Sequence, residues 1–250
     1  MTNHPHPKFS IITVTYNAGK VLEDTIQSVI FQTYRNVEYI IVDGNSSDNT
    51  LDIANKYKNR IDKIISEPDK GLYDAMNKGI LLASGDYLCF LNAGDELHEN
   101  ETLQKIVHTL NQQEQPDVIY GETAIVDEKG HFLRMRRHAT PPKLTWKSFK
   151  QGMLVCHQAF LARRELALTT PYDLQYRFSS DFDWCVRIMK KSKNLHNTHL
   201  TLIDYQKEGM STRNHKASLK ERFLIMTKHY GWISTLLHHG WFVIRAIYKK

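Results

Sequence analysis

Along the first hundred residues, short apolar runs of strand character alternate with segments whose apolar positions recur every three or four residues. Phe9–Thr15 is dominated by apolar and β-branched residues, which predicts a first strand buried on both faces, broken by Tyr16-Asn17-Ala18-Gly19. Val21, Leu22, Ile26, Val29 and Ile30 then fall on one helical face. Val37–Val42 predicts a second strand, followed by Asp43-Gly44-Asn45-Ser46-Ser47-Asp48-Asn49-Thr50, a turn rich in helix-capping residues, and a helix over Leu51–Tyr57. Ile61–Ser66 reads as a short third strand and Glu67–Gly71 as a loop. Leu72–Ala83 reads as a helix on the spacing of Leu72, Ala75, Met76, Gly79 and Ile80. Beyond Gly85, Tyr87–Leu91 is a strand that delivers Asn92-Ala93-Gly94-Asp95 to its carboxyl edge. This alternation predicts a doubly wound α/β fold.

The second half is less regular. Asn100 is expected to cap a helix with apolar face Leu103, Ile106, Val107 and Leu110, and Val118–Gly121 to form a further strand. Thr123–Asp127 and His131–Arg136 flank Glu128-Lys129-Gly130 as a hairpin. Pro141-Pro142 opens an irregular stretch. Val155–Leu161 is an apolar segment containing His157 and Gln158. Ser179-Ser180-Asp181-Phe182-Asp183-Trp184 precedes a helix ending in Lys190-Lys191; His199–Tyr205 is a late strand and Gln206–Ser211 a loop. From His215 the character changes to two basic, aromatic helices, about 216–230 and 232–248. Lys216, Lys220, Arg222, Lys228, Arg245, Lys249 and Lys250 stand there against Glu221 alone. Such helices either lie in a membrane interface or pack on a core. The expected organisation is a domain over 1–214 and a tail over 215–250.

Composition narrows this little. Hydrophobic content of 41% and charged content of 24% are those of an ordinary globular chain. The formal charge of +6 admits a nucleotide, a membrane surface or nucleic acid without choosing among them. Cys89, Cys156 and Cys185 lack metal-ligand spacing and read as free thiols of a reducing compartment. Met1–Lys8 has no apolar h-region, so no secretory signal is expected, and no run reaches the roughly 20 apolar residues of a membrane span.

The chemistry gathers at strand ends. In open α/β sheets ligands bind outside the carboxyl edge, and Asp43 and Asp95 both follow a strand there. A carboxylate at that edge can hold a divalent cation, and the cation a diphosphate. No GxGxxG follows either early strand and no GxxxxGK[ST] loop occurs, which removes the dinucleotide and P-loop fingerprints. Asp69 and Asp74 suit either a helix dipole or a pocket wall. Arg134, Arg136, Arg137 and His138 are either solvated surface or a diphosphate contact. Of Asp181 and Asp183, one caps a helix and one is open to service as a general base.

Together, three blocks resemble the family 2 glycosyltransferases of the nucleotide-sugar-binding GT-A fold: Ser10–Asn17, Ile40–Thr50 and Phe90-Leu91-Asn92-Ala93-Gly94-Asp95. The segment Ser66–Gly79 is similar to a subgroup that builds bacterial surface polysaccharides, including colanic-acid-type enzymes. The likeness spans about residues 8–210 and implies a mixed, mainly parallel sheet flanked by helices. It implies inverting transfer from a nucleotide-diphosphate sugar, UDP favoured over GDP, to a hydroxyl of a glycan or polyprenyl-linked glycan. No nucleic acid partner is expected; the free thiols point to a cytoplasmic protein, and the basic aromatic tail to one that can sit peripherally on the inner, anionic face of the cell membrane. By position, Thr15, Tyr16, Asn17, Asp43, Asp69, Lys70, Asp74, Asn92 and Ala93 would bind the nucleotide sugar, with Asp43 hydrogen-bonded to the base. Asp95 would hold Mn or Mg, Asp181 would be the catalytic base, and His157, Gln158 and Asp183 would meet a sugar. The chain departs from the family pattern at Asn92 and Gly94, where acids are common, leaving Asp95 as the motif's only carboxylate. Asp183, two residues beyond Asp181, faces elsewhere on the helix if Asp181 faces the site. Two other classes stay open: a nucleotidyltransferase, for which Tyr16–Lys20 is a poor phosphate loop, and a non-catalytic anion- or lipid-binding module using the tail.

Overall fold

The computed structural model describes residues 6–110, 115–141, 143–207 and 214–247, and at its centre is β1 (Phe9–Thr15), buried along its whole length. β1 pairs in parallel with β2 (Val37–Asp43) on one side and β4 (Tyr87–Phe90) on the other; β2 pairs with β3 (Lys63–Ser66). Helices α1 (Leu22–Ile30), α2 (Thr50–Lys56) and α3 (Leu72–Leu82) connect them. The chain winds outward from β1 to β3 and returns across β1 to β4, so the topological switch lies between β1 and β4. Thr15, Asp43 and the turn Asn92–Asp95 therefore meet at the edge where such sheets bind ligands.

The remaining elements are β5 (Glu96–Leu97), α4 (Thr102–Thr109), β6 (Val118–Val126), β7 (Phe132–Met135), β8 (Phe160–Arg163), α5 (Arg164–Leu168), α6 (Ser180–Lys191), β9 (Leu195–Gln206), α7 (His215–Tyr230) and α8 (Trp232–Ile247). The sheet runs β3-β2-β1-β4-β8-β6-β9-β5, with β7 on β6. β8 is antiparallel to β4 and β6, while β6 and β9 are parallel, which makes a mixed, mainly parallel sheet. Alternate residues feed its two faces, as the period of two requires. Ile12, Val14, Ile40, Val42, Leu88 and Phe90 enter one core with Trp184. Phe9, Ile11, Tyr39, Ile41, Tyr87 and Cys89 enter the other with Leu22 and Ile26. Trp184 stacks on Tyr172 at 4.8 Å and meets the edges of Phe90 and Phe160. The three cysteines are free and buried.

The departures from expectation are local. Val118–Gly121 does not end at Gly121; β6 continues through Val126 as one strand and forms the expected hairpin with β7. Gly121 is required by close approach, since a Cβ there would lie 2.6 Å from the Leu200 carbonyl, and the β6–β9 register shifts at that point. β9 begins at Leu195 rather than His199, because polar residues His196 and Asn197 pair with β6 and hide the strand pattern. The Val155–Leu161 segment divides into a 3-10 turn (His157–Ala159) and β8. The irregular stretch contains a second 3-10 turn, Trp146–Gln151, capped reciprocally by Thr145 and Ser148. The tail helices fall within a residue of their expected bounds, turned at Gly231 (φ 82°). The tail residues 208–213 and 248–250 lie outside the described residues.

At the amino-terminal end of the sheet, Glu38 is buried and accepts hydrogen bonds from Ser10 Oγ (2.6 Å), Ser84 N (2.7 Å), Ser84 Oγ (2.9 Å) and Lys63 Nζ (3.1 Å). Burial pushes its carboxyl up, but these donors outweigh burial and bring it down to about 2. A carboxylate lowered on folding stabilises above its unfolded pKa and loses that stability as pH falls through the folded value. Removing one member of a buried charged network costs about 3 kcal/mol, roughly 6–12 °C for a domain of this size. Glu38→Gln is therefore expected to lower the thermal midpoint by that amount at pH 7, with the gap closing towards pH 2. Melting curves of both proteins across that range check it, and a constant gap would place the stabilisation elsewhere.

Candidate active site

Asp43, the last residue of β2, lies in register between Thr15 of β1 and Ser66 of β3. It is fully buried, and its carboxylate accepts hydrogen bonds from Ser46 N (2.9 Å), Ser46 Oγ and Ser66 Oγ (2.7 Å). The loop it holds is tied in turn to the end of β1. Asn17, at φ 49°, donates its N–H to Ser46 Oγ (2.8 Å) and accepts from Ser47 N (2.9 Å) through Oδ1. Ala18 N donates to Thr50 Oγ1 (2.9 Å). The Asp43 carboxylate thus shapes the floor of the site through these internal hydrogen bonds. Tyr16 stands at the rim, 66% exposed. Gly44 lies between Tyr16 and Asp69, where an added Cβ would meet Asp69 Oδ2 at 2.5 Å and the Tyr16 ring at 3.4 Å. Asp69 Oδ1 accepts from Gly71 N (2.7 Å), and Asp74 Oδ2 accepts from the backbone of the exposed Lys70 (3.0 Å). Thr15 is buried, its hydroxyl without a partner.

The second half of the site follows β4. Gly94 takes φ 99° and donates its N–H to Thr25 Oγ1 (2.9 Å). Asn92 and Ala93 are half-buried. Asp95 is buried, with Gln158 Nε2 donating to Oδ2 (2.5 Å) and Gln206 N to Oδ1 (3.1 Å). Burial pushes its carboxyl up to about 7, aided by the charge of Glu96, and the two amide donors only partly oppose that. Next to Gln158 on the same 3-10 turn, His157 places Nε2 3.4 Å from Asn92 Nδ2 and Nδ1 3.5 Å from Asp181 Oδ2. Burial, with the nearby Arg136 charge, lowers the imidazole pKa against the pull of Asp181, so the ring is neutral at pH 7. Its Nδ1–H then faces Asp181 while Nε2 accepts from Asn92. Asp181, in the first turn of α6, also accepts from Tyr73 Oη (3.0 Å). Burial and the Asp181 charge raise the Tyr73 phenol well above its usual range, so it remains a donor. Two consecutive residues, His157 and Gln158, thus reach the two acids on which the chemistry was expected to rest.

Three expectations change. Asp183 does not face the site; it is fully buried on the far side of α6, where Arg187 Nε (2.5 Å), His229 Nε2 (2.8 Å) and Lys228 Nζ (3.5 Å) surround it and pin α7 to the domain. The two-residue step from Asp181 turns the side chain about 200° around the helix. Of the basic cluster, Arg134 and Arg137 are exposed, while Arg136 donates to the Met153 (2.6 Å) and Leu154 (3.1 Å) carbonyls and braces the chain entering the His157 turn. Tyr73, Ser66 and Gln206 had no assigned part in the sequence reading, and Ser46, read as a helix cap, holds Asp43 instead. Tyr73 shares the buried face of Met76 and Ile80 and looks like core; Gln206 acts through its backbone, which leaves no mark in a sequence.

For a divalent cation, the hard oxygen donors here are Asp95 and Asn92 Oδ1, the latter buried without a hydrogen-bond partner. Among the described residues no cluster of three or more His, Cys, Asp or Glu is placed to hold a metal. The two donors fit a cation that completes its shell from ligand phosphates and water, the usual habit of Mg2+.

The profile described as "Glycosyl transferase family 2" matches residues 10–169. A PGL/p-HBAD biosynthesis glycosyltransferase of Mycobacterium tuberculosis is 38% identical over 185 residues, 72% of this chain and 69% of the relative. The amylovoran biosynthesis glycosyltransferase AmsB of Erwinia amylovora is 29% identical over 195 residues, 73% of this chain and 64% of the relative. Among solved structures, S. aureus TarS 1-349 in complex with UDP-GlcNAc superposes with a TM-score of 0.71 at 18% identity, covering 88% of this chain and 66% of that one. The mannosyltransferase PcManGT of Pyrobaculum calidifontis, in complex with GDP-Man and Mn2+, superposes with a TM-score of 0.61 at 15% identity, covering 89% and 64%. This chain spans about two thirds of the length of these proteins, and the structural likenesses show a shared fold.

The raised carboxyl of Asp95 carries a stability signature. A carboxyl raised on folding favours the folded state at low pH, and that contribution is lost as pH rises through the folded value. In chelator, Asp95→Asn is expected to gain thermal stability relative to the parent as pH rises from 4 to 8, most of the gain appearing before pH 7. Parallel melting curves over that range check it; a difference independent of pH would mean that Asp95 is not held neutral by burial.

Proposed function

The chain belongs to glycosyl transferase family 2 and is a glycosyltransferase, and on that premise we propose that it moves a sugar from a nucleotide-diphosphate sugar to a hydroxyl of a glycan or lipid-linked glycan, with inversion at the anomeric carbon. The observation that carries this reading is Asp181: a partly exposed carboxylate at the mouth of the sheet, oriented by Tyr73 and by a neutral His157 that also touches Asn92. The family assignment sets aside the nucleotidyltransferase and non-catalytic readings. A UDP-sugar is the favoured donor, supported by the complex that TarS forms with UDP-GlcNAc. Polysaccharide assembly as the context is supported by AmsB, named for amylovoran biosynthesis. Such a reaction belongs in the cytoplasm, and a lipid-linked acceptor would bring the chain to the inner face of the cell membrane.

In this reading the exposed ring of Tyr16 covers the base above the loop that Asp43 holds, and Asp69, Lys70 and Asp74 wall the nucleotide. Asn92 and Ala93 line the path from diphosphate to sugar, with the unpartnered Asn92 Oδ1 turned to the ligand. A divalent cation held by Asp95 and Asn92 would supply positive charge to the departing diphosphate. Asp181 takes the proton of the acceptor hydroxyl as its oxygen bonds the anomeric carbon and the bond from that carbon to the phosphate oxygen breaks. The electron pair of that bond leaves with the nucleotide diphosphate. Tyr73 and His157 orient the carboxylate without adding a charge beside it. His157 is a positioning residue, and Gln158 does for Asp95 what His157 does for Asp181.

Transfer should be read beside donor binding, over a panel of UDP- and GDP-sugars with and without Mn2+. Asp181→Asn is expected to lower single-turnover transfer by roughly 10²–10⁴-fold with donor affinity held within about twofold. Asp183→Asn should keep transfer and lose thermal stability instead, since that acid anchors α7. Parental transfer by Asp181→Asn would remove Asp181 as the base. His157→Ala should lower kcat by about tenfold with KM for donor little changed, and His157→Gln, which keeps an N–H donor, should recover part of it. Equal losses in both variants would make the residue structural only.

A further inference from the structure

The last helix is turned inside out. An amphipathic helix on a globular domain directs its apolar arc to the core. In α8, the residues facing the protein are Thr235, His238, His239 and Phe242: Thr235 is buried, the two histidines are half-buried, and His239 packs against Phe223 of α7 at 5.0 Å. At 100° per residue, Ile233, Leu236, Leu237, Gly240, Trp241 and Ile244 form a continuous arc of about 140° on the opposite side. That side is open: Ile233 is 75% exposed, Leu237 70% and Trp241 59%. Leu219 and Leu224 of α7 are exposed as well.

The charge around this arc indicates what covers it. α8 contains no acidic residue, and the one acid of the tail, Glu221, turns inward to accept the backbone N–H groups of Arg177 (2.9 Å) and Phe178 (2.8 Å). Beside α8 packs the 3-10 turn Trp146–Gln151. There Trp146 stacks on Tyr230 at 5.5 Å, Lys147 and Lys190 lie over Trp146, and Lys150 lies over Tyr230. Lys216 and Lys220 are exposed on α7. Lysines therefore stand on both elements that pack beside α8, and Trp241 lies at the edge of the apolar arc, the composition of an interfacial helix. A second copy of the chain is disfavoured, because a two-fold interface on this arc sets one lysine frame against the other. Sixteen residues of helix reach only about 24 Å, and no helix among the described residues is long and apolar enough to cross a membrane.

We propose that α8, framed by the lysines of α7 and of the 146–151 turn, docks the protein on an anionic phospholipid bilayer, with its apolar arc at the boundary between headgroups and acyl chains. The inference uses no step of the transfer reaction, so it is tested without turnover. The full chain is floated with vesicles of phosphatidylcholine alone and with a quarter phosphatidylglycerol, at 0.15 and 0.5 M salt. Ile233→Glu/Leu237→Glu replaces exposed side chains, so the fold is expected to persist, and circular dichroism and the thermal midpoint confirm it. Expected are binding to the phosphatidylglycerol vesicles, at least tenfold loss in the double variant, and a several-fold loss in high salt. Lys147→Gln/Lys216→Gln/Lys220→Gln should lose the preference for anionic vesicles. Failure of the parent to float with phosphatidylglycerol vesicles overturns the proposal, as does equal flotation of a folded double variant. A parent that is dimeric by light scattering and becomes monomeric in the double variant assigns the arc to a second copy and overturns it as well.

Discussion

A carboxylate taken out of water must be met by partners, and this molecule is organised by how four of them are met. Glu38 is answered by two serines and a lysine, which locks β1, β2 and the end of α3 together at the base of the sheet. Asp183 is answered by an arginine, a histidine and a lysine, which joins α7 to α6. Asp43 is answered by Ser46 and Ser66, which sets the loop under Tyr16. Asp95 receives only two amide hydrogen bonds, and burial drives it to about 7. It stands just beyond the carboxyl edge of the strand next to the topological switch.

Asp181 and the groups that orient it come from different parts of the chain. Asp181 arrives on α6, Tyr73 on α3 and His157 on a turn that Arg136 braces through the Met153 and Leu154 carbonyls. Residues from two other elements converge on the carboxylate carried by α6, so its orientation depends on the packing of α6 against the sheet. The aromatic stack of Trp184 on Tyr172, with Phe90 and Phe160 at its edges, supplies that packing one turn from Asp181. Core and site are thus continuous here. Substitutions under α6 should reach the chemistry through the geometry of Asp181 rather than through contact with ligand.

The tail shows the converse. α7 holds to the domain through Ile225, Met226, Glu221, His229 and Tyr230, while α8 turns a polar and aromatic face inward and an apolar face outward. A helical pair packed on the core and a helix at a membrane are separate alternatives in the sequence, but the structure separates them by face rather than by segment. The same two helices serve one role with the side that meets α6 and leave the other side free.

What the sequence determined by itself is what repeats locally. The continuous apolar, β-branched runs of Phe9–Thr15 and Val37–Val42, the helical spacing after each, and the acid or amide beyond the strand ends made the doubly wound half and the edge of the site legible, because burial on both faces allows little but such runs. The three blocks that resemble family 2 added the roles. Tertiary structure decided what depends on direction. It turned Asp181 to the site and Asp183 into the contact with α7 from helical positions two apart, closed the Asp43 carboxylate with serines from a loop and a strand end, and placed Gln206 on Asp95 through a backbone N–H. It also set the apolar arc of α8 away from the core. None of these is carried by spacing along the chain, since each is a contact between segments tens of residues apart or a choice between two faces of the same helix.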